Sequence, residues 1–271
     1  MFNERKNTNG IILHGPENFE SMRKAGQFAA KVLDFITPYV TPGTTTESLD
    51  KLCYNFQIDH GAVPGPLGYR GYPKSICTSI NHVVCHGIPS EKVLKDGDII
   101  NIDVSPILNE WFGDTSRMFY VGEVKLKAKR LVEVTYNSMM KGIETIKPGA
   151  RLGDIGYAIQ SYAEKNRFSV VRDFCGHGIG RTFHTAPNVM HFGNRNEGMV
   201  LEEGMIFTVE PMINAGGLET KILDDNWTAV TRDKSLSAQF EHTIGVTSTG
   251  FEIFTLSPEG HTKPPFSRPP T

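Results

Sequence analysis

Cysteine is scarce in this chain: four in 271 residues (Cys53, Cys77, Cys85 and Cys175), with no C-x-x-C pair among them. That number cannot staple a chain of this length, so a disulfide framework is excluded and reduced thiols are expected. Net charge is also small, formally −2, which removes the long-range attraction that nucleic acid or acidic membranes require. The N-terminal segment lacks a long apolar run. It carries Arg5 and Lys6, but its only apolar stretch is Ile11-Ile12-Leu13, too short for a signal-peptide core or a membrane span. A cytoplasmic protein with no membrane and no nucleic-acid partner is expected. What is present, 39% apolar and 10% aromatic residues, is ordinary for a soluble globular fold.

Against this background one unit is written twice. The segment Leu94-Lys95-Asp96-Gly97-Asp98-Ile99-Ile100-Asn101-Ile102-Asp103 aligns without a gap on Leu201-Glu202-Glu203-Gly204-Met205-Ile206-Phe207-Thr208-Val209-Glu210. Each copy is preceded by His-Gly-Ile, at His86 and at His177. Helical apolar spacing runs from Glu17 to Val40 (Met22, Ala25, Phe28, Ala29, Val32, Leu33, Ile36) and again from about Lys125 to Ile146. Each run ends at Pro-Gly and is followed by a second helix, one starting near Thr46 with capping chemistry, the other over Leu152 to Asn166. The order helix, Pro-Gly, helix, His-Gly-Ile, acid-ended strand therefore occurs twice, and a duplication favours two halves sharing one core. We expect a single duplicated domain over 1–257, with halves at roughly 17–121 and 125–250. The remainder, 258–271, is rich in proline and is expected to be a mobile or surface-hugging tail.

At the end of the first half, Asp103 to Val121 reads as a hairpin turning at Leu108-Asn109-Glu110. Further strands are expected over Trp227–Val230 and Gln239–Val246, and a loop over Gly193–Gly198. Strand parity puts Ile100, Ile102 and Val104 on one face and Asn101, Asp103 and Ser105 on the other. Asp114 lies on the returning arm of the hairpin, Glu210 ends the duplicate strand before Pro211, and Glu241 interrupts another apolar strand. A lone acid on a strand ordinarily just faces water. Four that converge repel, by roughly 4 kcal/mol per pair at 4 Å and an effective dielectric of 20. Two divalent cations match four carboxylates in charge, and His177 between glycines adds a neutral nitrogen. Such a donor set suits Mn, Fe, Co or Zn better than it suits a thiolate zinc site.

The ordered stretches Asn81-His82-Val83-Val84-Cys85-His86-Gly87-Ile88-Pro89, Asn101-Ile102-Asp103-Val104, Gly113-Asp114-Thr115-Ser116, Gly176-His177-Gly178-Ile179-Gly180, Val209-Glu210-Pro211 and Phe240-Glu241-His242-Thr243 resemble those of type I methionine aminopeptidases. The resemblance covers nearly the whole chain apart from the first residues and the tail. It implies the α/β pita-bread fold: two halves related by a pseudo-twofold axis, a curved, mixed or antiparallel sheet, and helices on the outer face. It implies a two-metal centre held by Asp103, Asp114, His177, Glu210 and Glu241, with Asp114 and Glu241 bridging, Asp103 completing one site, and His177 with Glu210 completing the other. It implies a water whose pKa falls from 15.7 to about 7 between the metals, attacking the first peptide carbonyl.

By the same resemblance Glu210 relays the proton, His184 contacts the scissile carbonyl, and His86 meets the amide or the tetrahedral intermediate. A histidine beside glycine also often just caps a turn. The implied methionine pocket is Tyr69, Tyr72, Cys77, Phe183 and Trp227, a mix of aromatic and sulfur walls that suits a thioether. Pro66 stands where relatives often have cysteine. Asn81, Val83 and Ser237 match a monovalent-cation site, and His82 and His242 receive no role. The implied substrates are nascent polypeptides at the ribosome with a small second residue, met by a monomer of the shorter, bacterial-type form.

Rival readings are an X-Pro aminopeptidase, prolidase or creatinase of the same fold, or a binding module that has lost its metals. Relatives of the first kind usually carry an extra N-terminal domain, whereas here the residues before His86 already belong to the first repeat. Type II methionine enzymes carry a helical insertion, and the interval from His177 to Glu210 leaves no space for one. The five intact donors argue against a metal-free module.

Overall fold

The computed structural model describes residues 5–266. Its element order repeats as the sequence suggests. Helices α1 (Pro16–Ile36) and α2 (Thr46–Asp59) precede the strands Cys77–Ile80, Ile99–Val104 and Thr115–Tyr120. Helices α3 (Leu126–Ile143) and α4 (Leu152–Lys165) precede Gly176–Gly178, Ile206–Val209 and His242–Val246. In the first half the three strands pair antiparallel with Ile99–Val104 central, and in the second Ile206–Val209 lies between Gly176–Gly178 and His242–Val246.

Helix α1 buries the predicted stripe from Met22 to Ile36, but it stops before Val40. Pro38 has no N–H to continue the ladder, so Thr37–Tyr39 tighten into a 3-10 turn. The cap of α2 is Thr45, whose hydroxyl accepts from Ser48 N at 3.1 Å. The adjacent Thr46 hydroxyl is used instead to bond the Ser90 carbonyl.

Each helix pair covers its own sheet. Ile100, Ile102 and Val104 pack with Leu33, Ile36, Leu49 and Cys53 in one apolar cluster, whereas Phe207, Val209 and Ile244 pack with Leu131, Ile155 and Ile159 in another. The opposite face of Ile99–Val104 is polar yet also buried, because it meets the other half. Asn101 Nδ2 donates to Ser116 Oγ at 3.0 Å and to the Gln239 carbonyl at 2.8 Å.

Two expected strands are broken, and both breaks serve that junction. The returning hairpin arm splits into Trp111–Phe112 and Thr115–Tyr120, and the expected Gln239–Val246 strand splits into Ser237–Gln239 and His242–Val246. Asp114 and Glu241 occupy the breaks. Glu241 N donates to the Ser116 carbonyl, Thr115 Oγ1 to the Glu241 carbonyl and Thr243 Oγ1 to the Asp114 carbonyl. The strand expected over Trp227–Val230 runs instead over Ala229–Thr231, since Thr228 is held in a turn by Asp225.

The described part of the proline-rich tail, 258–266, hugs the surface; Pro269 and Pro270 lie outside the described residues. Ser257 Oγ donates to Asp34, which pairs with Arg117 at 2.8 Å, and Phe266 lies on Phe119 and the Arg117 guanidinium. The Asp34 and Arg117 side chains are 4% and 6% exposed. Removing one partner of such a pair strands a buried charge. Asp34→Ala is expected to cost about 3–5 kcal/mol, read as a lower urea midpoint at unchanged slope. A loss below about 1 kcal/mol would show the pair to be solvated.

Candidate active site

Where the two halves meet lies a cavity of about 330 Å³. Every side chain nominated for metal, proton transfer or the methionine pocket lines it: Asp103, Asp114, His177, Glu210 and Glu241, with His86 and His184, and Tyr69, Tyr72, Cys77, Phe183 and Trp227. Pro66 lines it too.

The glycines around His177 are there for space. A Cβ on Gly176 would lie 2.3 Å from the Thr208 carbonyl oxygen, and one on Gly178 would lie 2.2 Å from that of Ala186. The close approach fixes the His177 backbone against its neighbours, with its N–H donating to Thr208 Oγ1 at 3.0 Å. Nδ1 of His177 is 3.1 Å from the Gly178 carbonyl. A carbonyl only accepts, so Nδ1 carries the proton and Nε2 presents its lone pair. That lone pair faces Asp114 Oδ2 at 3.5 Å and Glu210 Oε1 at 3.6 Å.

Three electron-rich atoms held this close require a cation or a proton among them. Two donors each about 2.1 Å from one tetrahedral ion would be ~3.4 Å apart, so the spacing fits a shared metal. Donor atoms of Asp114, His177 and Glu241 all lie within 4.8 Å of one another, and the buried Asp103 Oδ1 has no hydrogen-bond partner. A second acid-histidine cluster, Asp34, Glu259 and His261, does not fit a metal equally well, because Arg117 already compensates Asp34 and the Glu259 side chain is 62% exposed.

The electrostatics agree. Burial, reinforced by repulsion from Asp114 and Glu210, pushes Asp103 and Glu241 well above the usual carboxylate range. Burial also raises Glu210, to about 7, although His177 and a Thr208 hydrogen bond oppose it. His177 is lowered by burial, but Asp114 and Glu210 outweigh that and its pKa rises. Burial holds His86 down, and burial with His177 nearby lowers His184 to about 4. Both are neutral donors at pH 7. Tyr69 stacks on His184 at 5.1 Å, and the His184 ring lies 4.1 Å from that of His177. His86 has a left-handed backbone (φ 56) and meets Phe174 and Trp227 edge-on. Tyr72 is a wall, its hydroxyl directed to the Ile76 and Gly87 carbonyls.

Asn81, Val83 and Ser237 lie outside this cavity. The Asn81 carbonyl accepts from Ser237 N at 2.8 Å, and Val83 pairs with Val230. His82 is exposed and His242 is half-buried on Thr255.

Sequence reasoning missed the groups that hold Glu210. Thr208 Oγ1 donates to Glu210 Oε1 at 2.7 Å, and His191 Nε2 accepts from Glu210 N at 3.1 Å. Strand parity could have flagged Thr208, two residues before the acid on the same face. Nothing in the sequence flags His191.

The model of metallopeptidase family M24 matches residues 20–248. A methionine aminopeptidase of Rickettsia prowazekii is 63% identical over 257 residues, 94% of this chain and 99% of that relative. The crystal structure of a methionine aminopeptidase from the same organism superposes with a TM-score of 0.90 at 64% identity, over 91% of this chain and all of that one. An X-Pro aminopeptidase structure from Thermotoga maritima, at 18% identity and a TM-score of 0.71 over 90% of this chain and 62% of that one, shares the fold alone. The donors gathered between two duplicated halves, and a family match spanning both of them, place this pita-bread chain in metallopeptidase family M24.

Proposed function

We propose that the chain removes N-terminal methionine from polypeptides as a metallo-aminopeptidase, preferring a small second residue. The observation that carries this reading is the facing of His177 Nε2 toward two carboxylates in a cavity walled by Tyr69, Phe183, Cys77 and Trp227. Its volume is near the lower end of small-molecule sites, about 300–1,000 Å³. In this reading residues 1–257 act as one duplicated catalytic domain, and 258–271 are appended to it.

The chain binds divalent metal. We assign Asp103, Asp114 and Glu241 to one ion and Asp114, Glu241, His177 and Glu210 to the other, with Co, Mn, Fe or Zn suited to the donors. When bound, such a pair lowers the pKa of water to about 7 and polarises a carbonyl. The remaining work falls to side chains. Neutral His184 donates to the scissile carbonyl oxygen and neutral His86 to the developing tetrahedral centre, both aimed where charge grows. Glu210, held by Thr208 and His191, takes and returns the proton. A carboxyl that burial, with repulsion from Asp114, holds at about 7 against the opposing pull of His177 and Thr208 suits transfer in both directions near neutrality. Buried Cys77, its pKa pushed well up by burial and by Asp103, is a neutral thiol and serves as a soft wall for the thioether. Asn81, Val83 and Ser237 are assigned a monovalent cation. The substrates are nascent chains at the ribosome, met by a cytoplasmic monomer. No helix among the described residues is long and apolar enough to cross a membrane.

Assaying Met-Ala-Ser, Met-Lys-Ser and Ala-Pro-Ala with each metal tests the reading. Preferential cleavage of Met-Ala-Ser is expected. Faster cleavage of Ala-Pro-Ala would favour the X-Pro activity, and no turnover with any metal would favour a binding module. His86→Ala is expected to keep its metal and lose about 10²–10³ in kcat, the usual cost of one transition-state donor. Loss of metal from that variant would instead make His86 a ligand.

A further inference from the structure

We propose that Arg70, which lines the mouth of the cavity, selects polypeptides with an acidic residue after the small second residue; this rests on the aminopeptidase reading. A substrate that buries only its N-terminal methionine must run its remaining chain out past the rim, so exposed charged groups there meet the following side chains. Of the charged residues lining the cavity, only Arg70 and Asp173 are exposed. They are not equivalent. Asp173 Oδ2 already accepts from Thr220 Oγ1 at 2.6 Å. Arg70 forms no ion pair and no hydrogen bond among the described residues, and its guanidinium sits over the Tyr69 ring at 5.3 Å.

The placement is built into the backbone. Arg70 is left-handed (φ 48, ψ 29) between Gly68 (φ 82) and Gly71 (φ 87), a conformation that arginine rarely adopts outside tight turns. Because Tyr69 stacks on His184, the guanidinium stands one ring beyond the histidine assigned to the scissile carbonyl. An extended chain rises about 3.3 Å per residue, so the residues within its reach are the third and fourth of the substrate, beyond the small second one. The guanidinium offers five donors in a fork that a carboxylate matches.

The test compares Met-Ala-Glu-Ser, Met-Ala-Gln-Ser and Met-Ala-Lys-Ser, and the series with the charge at position four, using the metal-loaded full chain. For the wild type kcat/KM should fall in the order Glu, Gln, Lys. The spread should be about tenfold at low salt and shrink toward unity at 0.5 M salt, as screening of an exposed charge requires. The effect should appear in KM, since the contact is the same in ground and transition states. Arg70→Lys should keep the order, Arg70→Gln should flatten it and Arg70→Glu should reverse it. A role confined to loop shape would change the rates of all peptides alike. Equal rates across both series, a wild-type preference for Lys, or a preference for Glu that survives in Arg70→Glu would overturn the assignment while leaving the aminopeptidase reading intact. Failure to cleave any peptide would overturn both.

Discussion

Glu241→Gln is expected to abolish turnover, by more than about 10³-fold, and to lose bound metal while its metal-free form becomes more stable than the metal-free wild type. The two halves of this outcome have one cause. Glu241 is 2% exposed, and its pKa is pushed well up by burial and then by Asp114, Glu210 and Asp103. Without a cation, ionising it near neutrality is a cost to the fold, and glutamine removes that cost at nearly constant shape. In the assigned role the same oxygens would hold a cation, and glutamine would withdraw charge from the centre. The backbone of Glu241, which stitches the halves through Ser116 and Thr115, is untouched.

Asp114→Asn should lose turnover and metal in the same way, because Asp114 faces His177 from the other break. Metal analysis, steady-state kinetics and urea unfolding of the chelated proteins read the three effects separately. Full metal occupancy in both variants would remove their bridging roles. A metal-free Glu241→Gln less stable than the wild type would make Glu241 a structural group.

What made the centre legible in the sequence was periodicity. Asp103 and Glu210 end matched strands, and a duplication with matched ends brings those ends together. Parity separated the Asn101 face from the Ile102 face correctly. It could not say that the polar face is buried too, because the partner surface is contributed by Gln239 and Glu241 from far along the chain. The strand breaks at Asp114 and Glu241 were hidden for a related reason. Both segments have strand-like composition, and the backbone leaves its ladder only because a hydrogen-bond partner in the other half takes over. Thr208 and His191 act through single hydrogen bonds to Glu210; strand parity points to the first, and no local pattern encodes the second. Arg70 was silent because a charged residue in a Gly-rich loop reads as solvated surface. Only the cavity makes it a rim.

The stabilisation given by metal is expected to grow with pH and to fall at pH 5 to about a third of its value at pH 8. Loaded with Mn at a thousandfold excess over its dissociation constant at pH 8, the protein should gain about 4 kcal/mol over its chelated form. Metal must displace whatever proton the centre holds. Glu210 in the metal-free fold titrates at about 7, against an ordinary 4.5, so at pH 5 it is protonated. Removing that proton costs about 1.4 kcal/mol per pH unit below 7. Two units weaken apparent affinity about a hundredfold, which leaves about 1.4 kcal/mol of stabilisation at the same metal concentration. Asp103 and Glu241, also raised, act in the same direction.

The sign for the chelated protein alone is mixed, and this is why the difference is the quantity to measure. An acid raised in the fold lowers stability as pH rises through the interval between its unfolded and folded values, here from 4.5 to about 7 for Glu210, and His177, raised from 6.5, does the same as pH passes its folded value. Buried His191 and half-buried His242, both held down at about 3 by loss of solvent, do the opposite: the unfolded chain binds their protons first, so stability falls as pH drops below 6.5. The chelated curve should therefore have a maximum, set by His191 and His242 as much as by the acids assigned to metal. Those histidine contributions are common to both forms and cancel when loaded and chelated protein are unfolded side by side at pH 5, 6, 7 and 8. A metal-induced gain that stayed constant across that series would mean that no ligand carries a proton when metal leaves, and the buried carboxylates would then have to be compensated by something other than the ions.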